Sequence, residues 1–340
     1  MNLYPYLFRQ NRKTLVWGTE DWTVSAVPGS ESVVDNGSCA GMKLTEVVAG
    51  DPEEILGKAV AERYHNQLPL LAKIIDAKRD LSIQVHPNDE MAQRVHGKMG
   101  KSEMWYIIKA EPGAHLYAGF KHQITPYEYQ KRVEDGTITE VLADHPVKAG
   151  DVFYLPAGRV HAICGGILLA EVQQSSDITY RIFDYNRPGM DGKPRELHTE
   201  LAAQALDYHV EQNYRTEYIE PDNRAIQIID SPYFDVRVME ITESFHRNLL
   251  KYDSFNISMC LEGDCQIRIR PSVTSPLSPL TSHLSSLILK EGHTVLIPAA
   301  IADYDVIPLH GKTRLLDAFI DNMDKSLTGK VSRFLHITKQ

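Results

Sequence analysis

The stretch "GDVFYLPAGRVH", residues 150–161, joins an apolar run to a turn and then to a histidine. The run "VFYL" has the β-branched and aromatic content that is typical of strands. Pro156 and Gly158 follow it, and both residue types favour turns. His161 stands where the next apolar run begins. The spacing G-x5-P-x-G-x2-H therefore predicts two consecutive strands, with a histidine at the head of the second.

Short apolar runs separated by turn residues continue on both sides of this stretch. Strands are predicted in the segments 69–77, 81–86, 102–110, 114–120, 151–158, 161–166, 167–176 and 179–185. Helices are predicted at 51–66, 89–97, 125–136 and 199–209, and a second strand-rich block begins at residue 225. Many short strands at close spacing favour a mainly β sandwich or barrel over a βαβ fold.

A weaker copy of the motif lies in the second block. "GHTVLIPAAIAD", residues 292–303, repeats the G-x5-P spacing with Gly292 and Pro298, but Asp303 stands where the histidine would be. We infer two copies of one β-fold, the second without its histidine. The predicted units are a first domain at 1–195, a helical linker at 196–224 and a second domain at 225–340, which contains a Ser/Pro-rich loop at 271–286.

The composition is that of an acidic globular protein. Hydrophobic residues make up 43% of the 340 residues and charged residues 24%, and the formal net charge is -9. A nucleic-acid-binding protein would carry a basic stripe, so this balance argues against a nucleic-acid partner. An anionic small substrate is still compatible, because a local group of Arg and Lys can bind a phosphate whatever the total charge.

Cysteine use and the N-terminal residues bear on the compartment. Four cysteines are scattered without a C-x-x-C pair, as expected in a reducing compartment without disulfides. The first residues, "MNLYPYLFRQNRK", lack the apolar core of a signal peptide. No apolar run reaches the roughly 18 residues of a membrane span. We therefore expect a cytoplasmic protein without a membrane partner, and the sequence indicates no obligate protein partner.

Two polar residues share one face of a short strand in "LSIQVHPND", residues 81–89. Side chains alternate across a strand, so Gln84 and His86 point the same way. Pro87 cannot donate a hydrogen bond to a neighbouring strand and ends this one directly after them. A lone histidine is more often a core or turn residue, so its interpretation depends on what else lies nearby.

Glu103 and His161 supply the rest of a candidate metal site. Glu103 stands at the start of the apolar strand "EMWYII", where a carboxylate has no packing reason to be. Together with Gln84 and His86, these residues offer two imidazoles, one carboxylate and one amide oxygen. Such a set suits a divalent metal and leaves a position for water or substrate. Without a thiolate it is compatible with zinc, and also with manganese, iron, cobalt or nickel.

The motif around His161 resembles the second sequence motif of the cupin superfamily at every fixed position, whereas the first motif departs from the usual cupin form. Gln84 stands where a histidine is usual, and 16 residues separate His86 from Glu103. In these features the chain resembles the type I phosphomannose isomerases. The resemblance extends over most of residues 15–190. Four stretches in it resemble that family's motifs and occur in the family's order: "QLPLLAKIIDAKRDLSIQVHPND", "GKMGKSEMWYII", "YLPAGRVHAI" and "LAEVQQSSDITYRIFDYNR".

The resemblance implies two cupin, or jelly-roll, domains with short helical insertions, the second degenerate and without metal ligands. It implies an aldose-ketose isomerase that interconverts mannose 6-phosphate and fructose 6-phosphate through a cis-enediol or enediolate. The expected cofactor is one Zn²⁺ per chain, with other divalent metals as alternatives, and the expected partner is a small phosphorylated hexose. The second block resembles the short bacterial class, although the segment after Trp17 and Gly18 is shorter than family members usually carry.

Three further residues are candidates for the chemistry. Arg181 matches the arginine that the family treats as catalytic, where its charge would suit an enediolate or phosphate oxygen. The alternative for Arg181 is a surface arginine paired with Asp177 or Asp184. Lys101 is a candidate for proton transfer or phosphate binding, and its alternative is a solvated loop lysine. Glu171 is a candidate base, or a partner that orients a ligand histidine.

Lys73 and the tryptophans stand out without a definite role. Lys73 is a charge within the apolar strand "LLAKII", and it either pairs with an acid near the site or lies at a strand edge. Trp17, Trp22 and Trp105 are expected in the core or in the wall of a site rather than in the chemistry.

Two other functions are compatible with such a fold. A metal-dependent cupin oxygenase would need an apolar substrate pocket, which the polar segment "EVQQSSDITYR" does not favour. A non-catalytic sugar-binding protein would be expected to have lost a metal ligand or Arg181, and all of these residues are present.

Overall fold

The computed structural model describes residues 3–270 and 286–323. The predicted loop at 271–286 lies outside these residues except for Ser286, and so does the end of the predicted second domain, residues 324–340. The described residues include the helices α1 (Leu44–Gly50), α2 (Pro52–Leu56), α3 (Lys58–Arg63), α4 (Asp89–His96), α5 (Pro126–Glu134) and α6 (Thr199–Ala205).

Strands make up most of the regular structure, which confirms the prediction of a mainly β fold. The first part of the chain contains β1 (Tyr6–Leu7), β2 (Arg12–Leu15), β3 (Gly18–Val24), β4 (Leu70–Ala77), β5 (Ile83–Val85), β6 (Glu103–Ala110), β7 (His115–Phe120), β8 (Leu142–Pro146), β9 (Val152–Leu155), β10 (His161–Ile163), β11 (Ile167–Gln174), β12 (Tyr180–Phe183) and β13 (Arg215–Thr216). The second part contains β14 (Arg224–Asp230), β15 (Asp235–Ile241), β16 (Phe245–Asn248), β17 (Asn256–Glu262), β18 (Cys265–Ile269), β19 (Ser286–Leu289), β20 (Thr294–Ile297), β21 (Asp303–Pro308) and β22 (Thr313–Phe319).

The first part of the chain forms a sandwich of two antiparallel sheets. The seven-stranded sheet has the strand order β13-β9-β6-β11-β4-β3-β2, and the five-stranded sheet has the order β12-β5-β10-β7-β8. Because side chains alternate across a strand, β6 directs Trp105 and Ile107 to the same face. There they share a buried cluster with Leu116 and Ile163 of the five-stranded sheet. This cluster is the core of the first sandwich.

The second part forms another sandwich. Its six-stranded sheet has the order β1-β20-β17-β22-β15-β14, and its four-stranded sheet has the order β16-β21-β18-β19. Met239, Ile267 and Leu315 belong to the buried cluster between them. β1, near the N-terminus, crosses to this second sandwich and pairs with β20. β13, from the predicted linker, stays with the first sandwich and pairs with β9.

The two sandwiches pack on one another through the outer faces of their larger sheets. Met104, Tyr106 and Val172 of the seven-stranded sheet share one buried cluster with Ile257 and Leu316 of the six-stranded sheet. Both faces of β6 are therefore covered. This double burial explains why β6 is a continuous apolar run rather than an alternating one.

Helices α4, α5 and α6 cover the outer face of the five-stranded sheet. Met91 of α4, Tyr129 of α5 and Ala202 of α6 share a buried cluster with Ile83 and Ile182 of that sheet. These helices thus hold β5 and β12 in place from outside. None of the helices within residues 3–270 and 286–323 combines the length and the apolar character that crossing a membrane requires.

The single helix predicted at 51–66 is in fact two helices, α2 and α3, because the chain breaks at Gly57. Gly57 has a φ of +93°, which L-residues rarely adopt, and a Cβ added there would lie 2.1 Å from the carbonyl oxygen of Asp253. The Asp253 carboxylate accepts hydrogen bonds from the backbone N–H groups of Lys58 and Ala59 and so caps α3. Helical periodicity in the sequence does not reveal such a long-range contact.

Candidate metal centre

Three of the four predicted metal ligands lie together inside the first sandwich. Ligand atoms of His86, Glu103 and His161, one from each residue, lie within 4.8 Å of one another. Glu103 Oε2 lies 3.3 Å from His86 Nε2, and Glu103 Oε1 lies 3.4 Å from His161 Nε2. The three residues are 2%, 0% and 1% exposed. The carboxylate therefore lies between two buried imidazoles.

Strand pairing brings these residues together from distant parts of the chain. Glu103 is the first residue of β6 in the seven-stranded sheet, and His161 is the first residue of β10 in the five-stranded sheet. His161 lies directly opposite Gln84 of β5, and His86 directly follows β5, where Pro87 ends the strand. Ligand-type residues from both sheets thus meet at the ends of their strands.

A backbone carbonyl orients each histidine ring. His86 Nδ1 lies 2.9 Å from the carbonyl oxygen of Ile178, and His161 Nδ1 lies 2.9 Å from that of Arg159. A carbonyl oxygen can only accept a hydrogen bond, so Nδ1 carries the proton in both rings. The lone pair of each Nε2 is then available on the side of Glu103, as in histidines that bind metals.

The buried environment favours neutral histidines and a charged carboxylate. Burial, and next the positive charge of Lys101, lower the pKa of His86 to about 3. Burial also lowers the pKa of His161, against the attraction of Glu103. Burial alone would raise the pKa of Glu103, but Lys101 and the two imidazoles hold it well below its ordinary value. Neutral imidazoles and an ionised carboxylate are the protonation states that metal binding requires.

Several atoms of this group make no well-aligned hydrogen bond within the described residues. They are both carboxylate oxygens of Glu103 and Nε2 of His161. A buried polar atom without a hydrogen bond is rare and costs about 1–3 kcal/mol. A divalent cation bound between these atoms would satisfy all of them. The residues therefore fit a metal ion, and the nitrogen and oxygen donors match the ligands that zinc accepts.

Gln84 and Lys101 line a cavity of about 220 Å³ beside the three ligands. Lys101 Nζ lies 2.9 Å from His86 Nε2 and 2.8 Å from Glu103 Oε2. Lys101 is only 5% exposed, so it is a buried, paired lysine and not a solvated loop residue. Its ammonium contacts two of the atoms that a metal ion would use.

Arg181 lines the same cavity from β12 and has no carboxylate partner among the described residues. The alternative was a surface arginine paired with Asp177 or Asp184. Both of these acids are paired with other basic side chains. Arg181 Nη1 donates a hydrogen bond of 2.8 Å to the carbonyl oxygen of Glu196, and Nε has no hydrogen-bond partner within residues 3–270 and 286–323. An unneutralised guanidinium thus forms part of the cavity wall.

Glu171 lies in the same interior, but no hydrogen bond joins it to either ligand histidine. Its Oε1 lies 2.8 Å from Lys73 Nζ, and its Oε2 accepts a hydrogen bond of 2.9 Å from Trp105 Nε1. The Trp105 ring packs edge-on against His161, with ring centroids 5.3 Å apart. Burial acts to lower the pKa of Lys73, but the charge of Glu171 raises it above its ordinary value. Trp105 therefore links Glu171 to the histidine site.

Three acidic or basic cavity residues were not among the candidates from the sequence: Glu20, Asp177 and Arg195. Glu20 Oε2 accepts a hydrogen bond of 2.6 Å from Trp22 Nε1 and lies 3.9 Å from Lys73 Nζ. The alternation of Glu20 and Trp22 on one strand could have indicated a shared face. Arg195 stands in a polar, turn-rich segment where no pattern distinguishes it.

Comparisons with known proteins place this chain in a family. A family model described as the catalytic domain of type I phosphomannose isomerase matches residues 18–106. A probable mannose-6-phosphate isomerase of Bacillus subtilis, GmuF, is 38% identical over 251 residues, which are 73% of this chain and 77% of that protein. The mannose-6-phosphate isomerase ManA of the same organism is 34% identical over 283 residues, which cover 78% of this chain and 87% of the relative.

Solved structures agree with these matches. The crystal structure of the mannose 6-phosphate isomerase from Bacillus subtilis superimposes with a TM-score of 0.79 at 27% identity and covers 93% of this chain and 99% of its own. A putative mannosephosphate isomerase from Archaeoglobus fulgidus superimposes with a TM-score of 0.73 at 18% identity, over 94% of this chain and 98% of its own. The second likeness, at this low identity, shows the fold alone.

Proposed function

Because the chain belongs to the type I phosphomannose isomerase family, we propose that it interconverts mannose 6-phosphate and fructose 6-phosphate. The observation that carries the proposal is the buried group of His86, Glu103 and His161, in which both Glu103 oxygens and His161 Nε2 lack well-aligned hydrogen bonds within the described residues. This group adjoins a cavity lined by basic side chains. The reaction moves a proton between C1 and C2 of the sugar through a cis-enediol or enediolate, so it needs a proton carrier and a stabiliser of negative charge.

We propose that His86, Glu103 and His161 hold one divalent ion, with Gln84 as a fourth ligand from the cavity wall. Zinc is the expected ion, since two imidazoles and a carboxylate suit it, although other divalent metals accept the same donors. When bound, the metal supplies Lewis acidity that polarises the sugar oxygens and stabilises negative charge on them. The hydrogen bonds from the histidine Nδ1 atoms to backbone carbonyls keep both Nε2 atoms directed at the site.

Arg181 is the proposed stabiliser of the enediolate. Its guanidinium lines the cavity, and no carboxylate within the described residues neutralises it. A permanently charged group that is already fixed by a hydrogen bond to the Glu196 carbonyl needs little rearrangement when negative charge develops on the sugar. This arrangement supports a role in catalysis for Arg181.

Lys101 and Glu171 are the proposed groups for moving the proton. Both line the cavity, and each is held by partners in this structure. Lys101 Nζ would exchange its contacts with His86 and Glu103 for contacts with substrate once those residues hold a metal. Glu171 can accept a proton only if its contacts with Lys73 or Trp105 loosen, so Lys101 is the better-placed carrier.

We also propose that the two sandwiches are cupin domains and that the second is degenerate. Strand register supports the correspondence: Glu103 lies opposite the residue before Pro156, and Asn256 lies opposite the residue before Pro298. Asn256 thus takes the place of the carboxylate ligand in the second sandwich. The proposed boundaries are a catalytic domain at 1–195, a linker at 196–224 and a degenerate domain at 225–340. β1 of the first domain pairs with β20 of the second, and β13 of the linker pairs with β9 of the first.

A coupled assay tests the proposed function directly. Formation of fructose 6-phosphate from mannose 6-phosphate is followed, and the metal content of the same preparation is measured. We expect turnover together with stoichiometric divalent metal, loss of turnover after chelation, and recovery when zinc is returned. Absence of turnover with each of zinc, manganese, iron, cobalt and nickel would reject the proposal and favour a non-catalytic sugar-binding protein.

A further inference from the structure

Positive charge is unevenly neutralised around the cavity. Lys73 and Lys101 each pair with a buried glutamate of the seven-stranded sheet. The other basic side chains that line the cavity, among the described residues, are Arg181 and Arg195. The lysine charges are therefore matched by acids, and the rest of the positive charge in the cavity wall comes from the two arginines.

One carboxylate serves two arginines on that side. Arg195 Nε and Nη2 lie 2.7 and 2.6 Å from the oxygens of Asp184. Arg187 Nε and Nη2 donate to the same carboxylate at 3.0 and 2.8 Å. Arg181 lies near them without a carboxylate partner among the described residues, so two of these three guanidinium groups pair with one carboxylate and the third is unpaired. Burial, and next the charge of Arg195, lower the pKa of Arg181, as expected for a cation held near another cation.

Arg195 also has an unused hydrogen-bonding edge. Asp184 occupies Nε and Nη2, whereas Nη1 has no hydrogen-bond partner among the described residues. The Arg195 side chain is 22% exposed, in contrast to the buried metal ligands, which places it nearer the mouth of the cavity. Hydrogen bonds hold the segment that follows Arg195 beside β12. Arg181 Nη1 donates to the Glu196 carbonyl, and the His198 N–H donates to the Arg181 carbonyl.

We infer that Arg195 binds the phosphoryl group of the substrate, and that Asp184 holds its guanidinium in place. This inference rests on the proposed function, which supplies a phosphorylated sugar. A phosphate monoester carries a charge of about −1.5 to −2 and has three acceptor oxygens, which match the excess positive charge and the free edge of Arg195. Arg181 lies opposite Gln84 in strand register and so beside the metal centre, which leaves the phosphate to Arg195 nearer the mouth.

The test compares the metal-loaded full-length enzyme with its Arg195→Gln variant. The measurements are KM and kcat for mannose 6-phosphate, and the affinity for inorganic phosphate by titration calorimetry, which does not depend on turnover. We expect KM to rise and phosphate affinity to fall by about 10- to 100-fold, with a much smaller change in kcat. Arg195→Lys should recover part of both losses, because it keeps the charge but not the fork.

Arg187→Gln is the matched control. It removes the other arginine from Asp184, but Arg187 does not line the cavity. We expect this variant to lower the melting temperature, because it removes a mostly buried ion pair. KM and phosphate affinity should stay within about twofold, because both contacts between Arg195 and Asp184 are left in place. Equal losses in the two variants would mean that Arg195 acts only through Asp184 and would overturn the inference.

The two proposals fail in different ways. If the wild-type enzyme turns over mannose 6-phosphate and Arg195→Gln changes neither KM nor phosphate affinity, the phosphate assignment is wrong and the proposed function stands. If no metal supports turnover but Arg195→Gln still weakens phosphate binding, the anion site stands and the proposed function is wrong.

Discussion

At the scale of single residues, Glu103 is the carboxylate that contacts both histidines and the lysine of the candidate metal centre. Its two oxygens face two different histidines, and Oε2 also lies 2.8 Å from the Lys101 ammonium. Removing a buried charge that several partners share leaves each of them without compensation, which is why such residues tolerate little change. The same carboxylate would be the only anionic ligand of the proposed metal ion.

His86→Ala and Glu103→Ala are each expected to remove stoichiometric metal and to lower isomerase activity by more than about 10²-fold. Metal analysis and the coupled assay on the same preparations measure both effects. His115→Ala is the control, because His115 lies on β7 outside the group of ligand atoms. Full activity in a metal-free His86→Ala protein would show that the site has been wrongly assigned.

Arg181→Ala is expected to separate catalysis from metal binding. Arg181 contacts none of the three ligand residues through a hydrogen bond or ion pair in the described structure, so metal content should be unchanged. Loss of a positioned charge that stabilises an enediolate should lower kcat by about 10²- to 10³-fold. A normal kcat in the variant would remove Arg181 from the mechanism.

At the scale of elements, the break between α2 and α3 depends on a single glycine. Gly57 combines a positive φ with close approach to the Asp253 backbone, which lies in the second sandwich part of the chain. The same aspartate caps α3 with its side chain. One short contact thus fixes both the bend of the helix pair and its docking on a distant segment.

Gly57→Ala should lower the free energy of unfolding by more than about 3 kcal/mol, because an unfavourable φ and a clash with backbone atoms act together. Gly113→Ala separates the two causes. Gly113 has a φ of +85° but no atom within 4 Å of an added Cβ, so we expect a loss of only about 1–2 kcal/mol. Denaturant titration measures both, and equal losses would mean that the contact with Asp253 contributes nothing.

At the scale of the whole molecule, the two sandwiches share a buried core and should unfold together. Leu316 of the six-stranded sheet is fully buried in the cluster that also contains Met104 and Tyr106 of the seven-stranded sheet. Arg314 Nη1 also donates a hydrogen bond of 3.0 Å to the Tyr106 hydroxyl across this interface. Shared burial of this kind couples the stabilities of the two parts.

Tryptophan fluorescence can test that coupling, since the three tryptophans, Trp17, Trp22 and Trp105, all lie in the first sandwich. Leu316→Ala, in the second sandwich, should lower the stability seen by fluorescence by about 2–5 kcal/mol. Leu250→Ala is the control: Leu250 is 44% exposed and should cost less than about 0.5 kcal/mol. A fluorescence midpoint that does not respond to Leu316→Ala would show that the sandwiches unfold independently.

Features of the fold and of the candidate site could be predicted where they depend on residues that are close together in the sequence. The mainly β architecture follows from the spacing of apolar runs and turn residues, which are local properties of the chain. The sequence predicted a site of Gln84, His86, Glu103 and His161, because a strand periodicity of two and a proline stop place polar side chains at strand ends. The structure brings ligand atoms of the last three together. The helix break at Gly57 was not predicted, since it results from contact with Asp253, which is far away along the chain.

The sequence by itself determined the fold class, the candidate ligands and the family resemblance, because these depend on residue type and spacing along the chain. Only the tertiary structure decided which charges neutralise one another. Lys101 is buried against Glu103, and Asp184 is paired with Arg187 and Arg195. Arg181 is left without a carboxylate partner among the residues that the structure describes. Electrostatic energy depends on distance in space and on burial, and neither quantity can be obtained from positions along the chain.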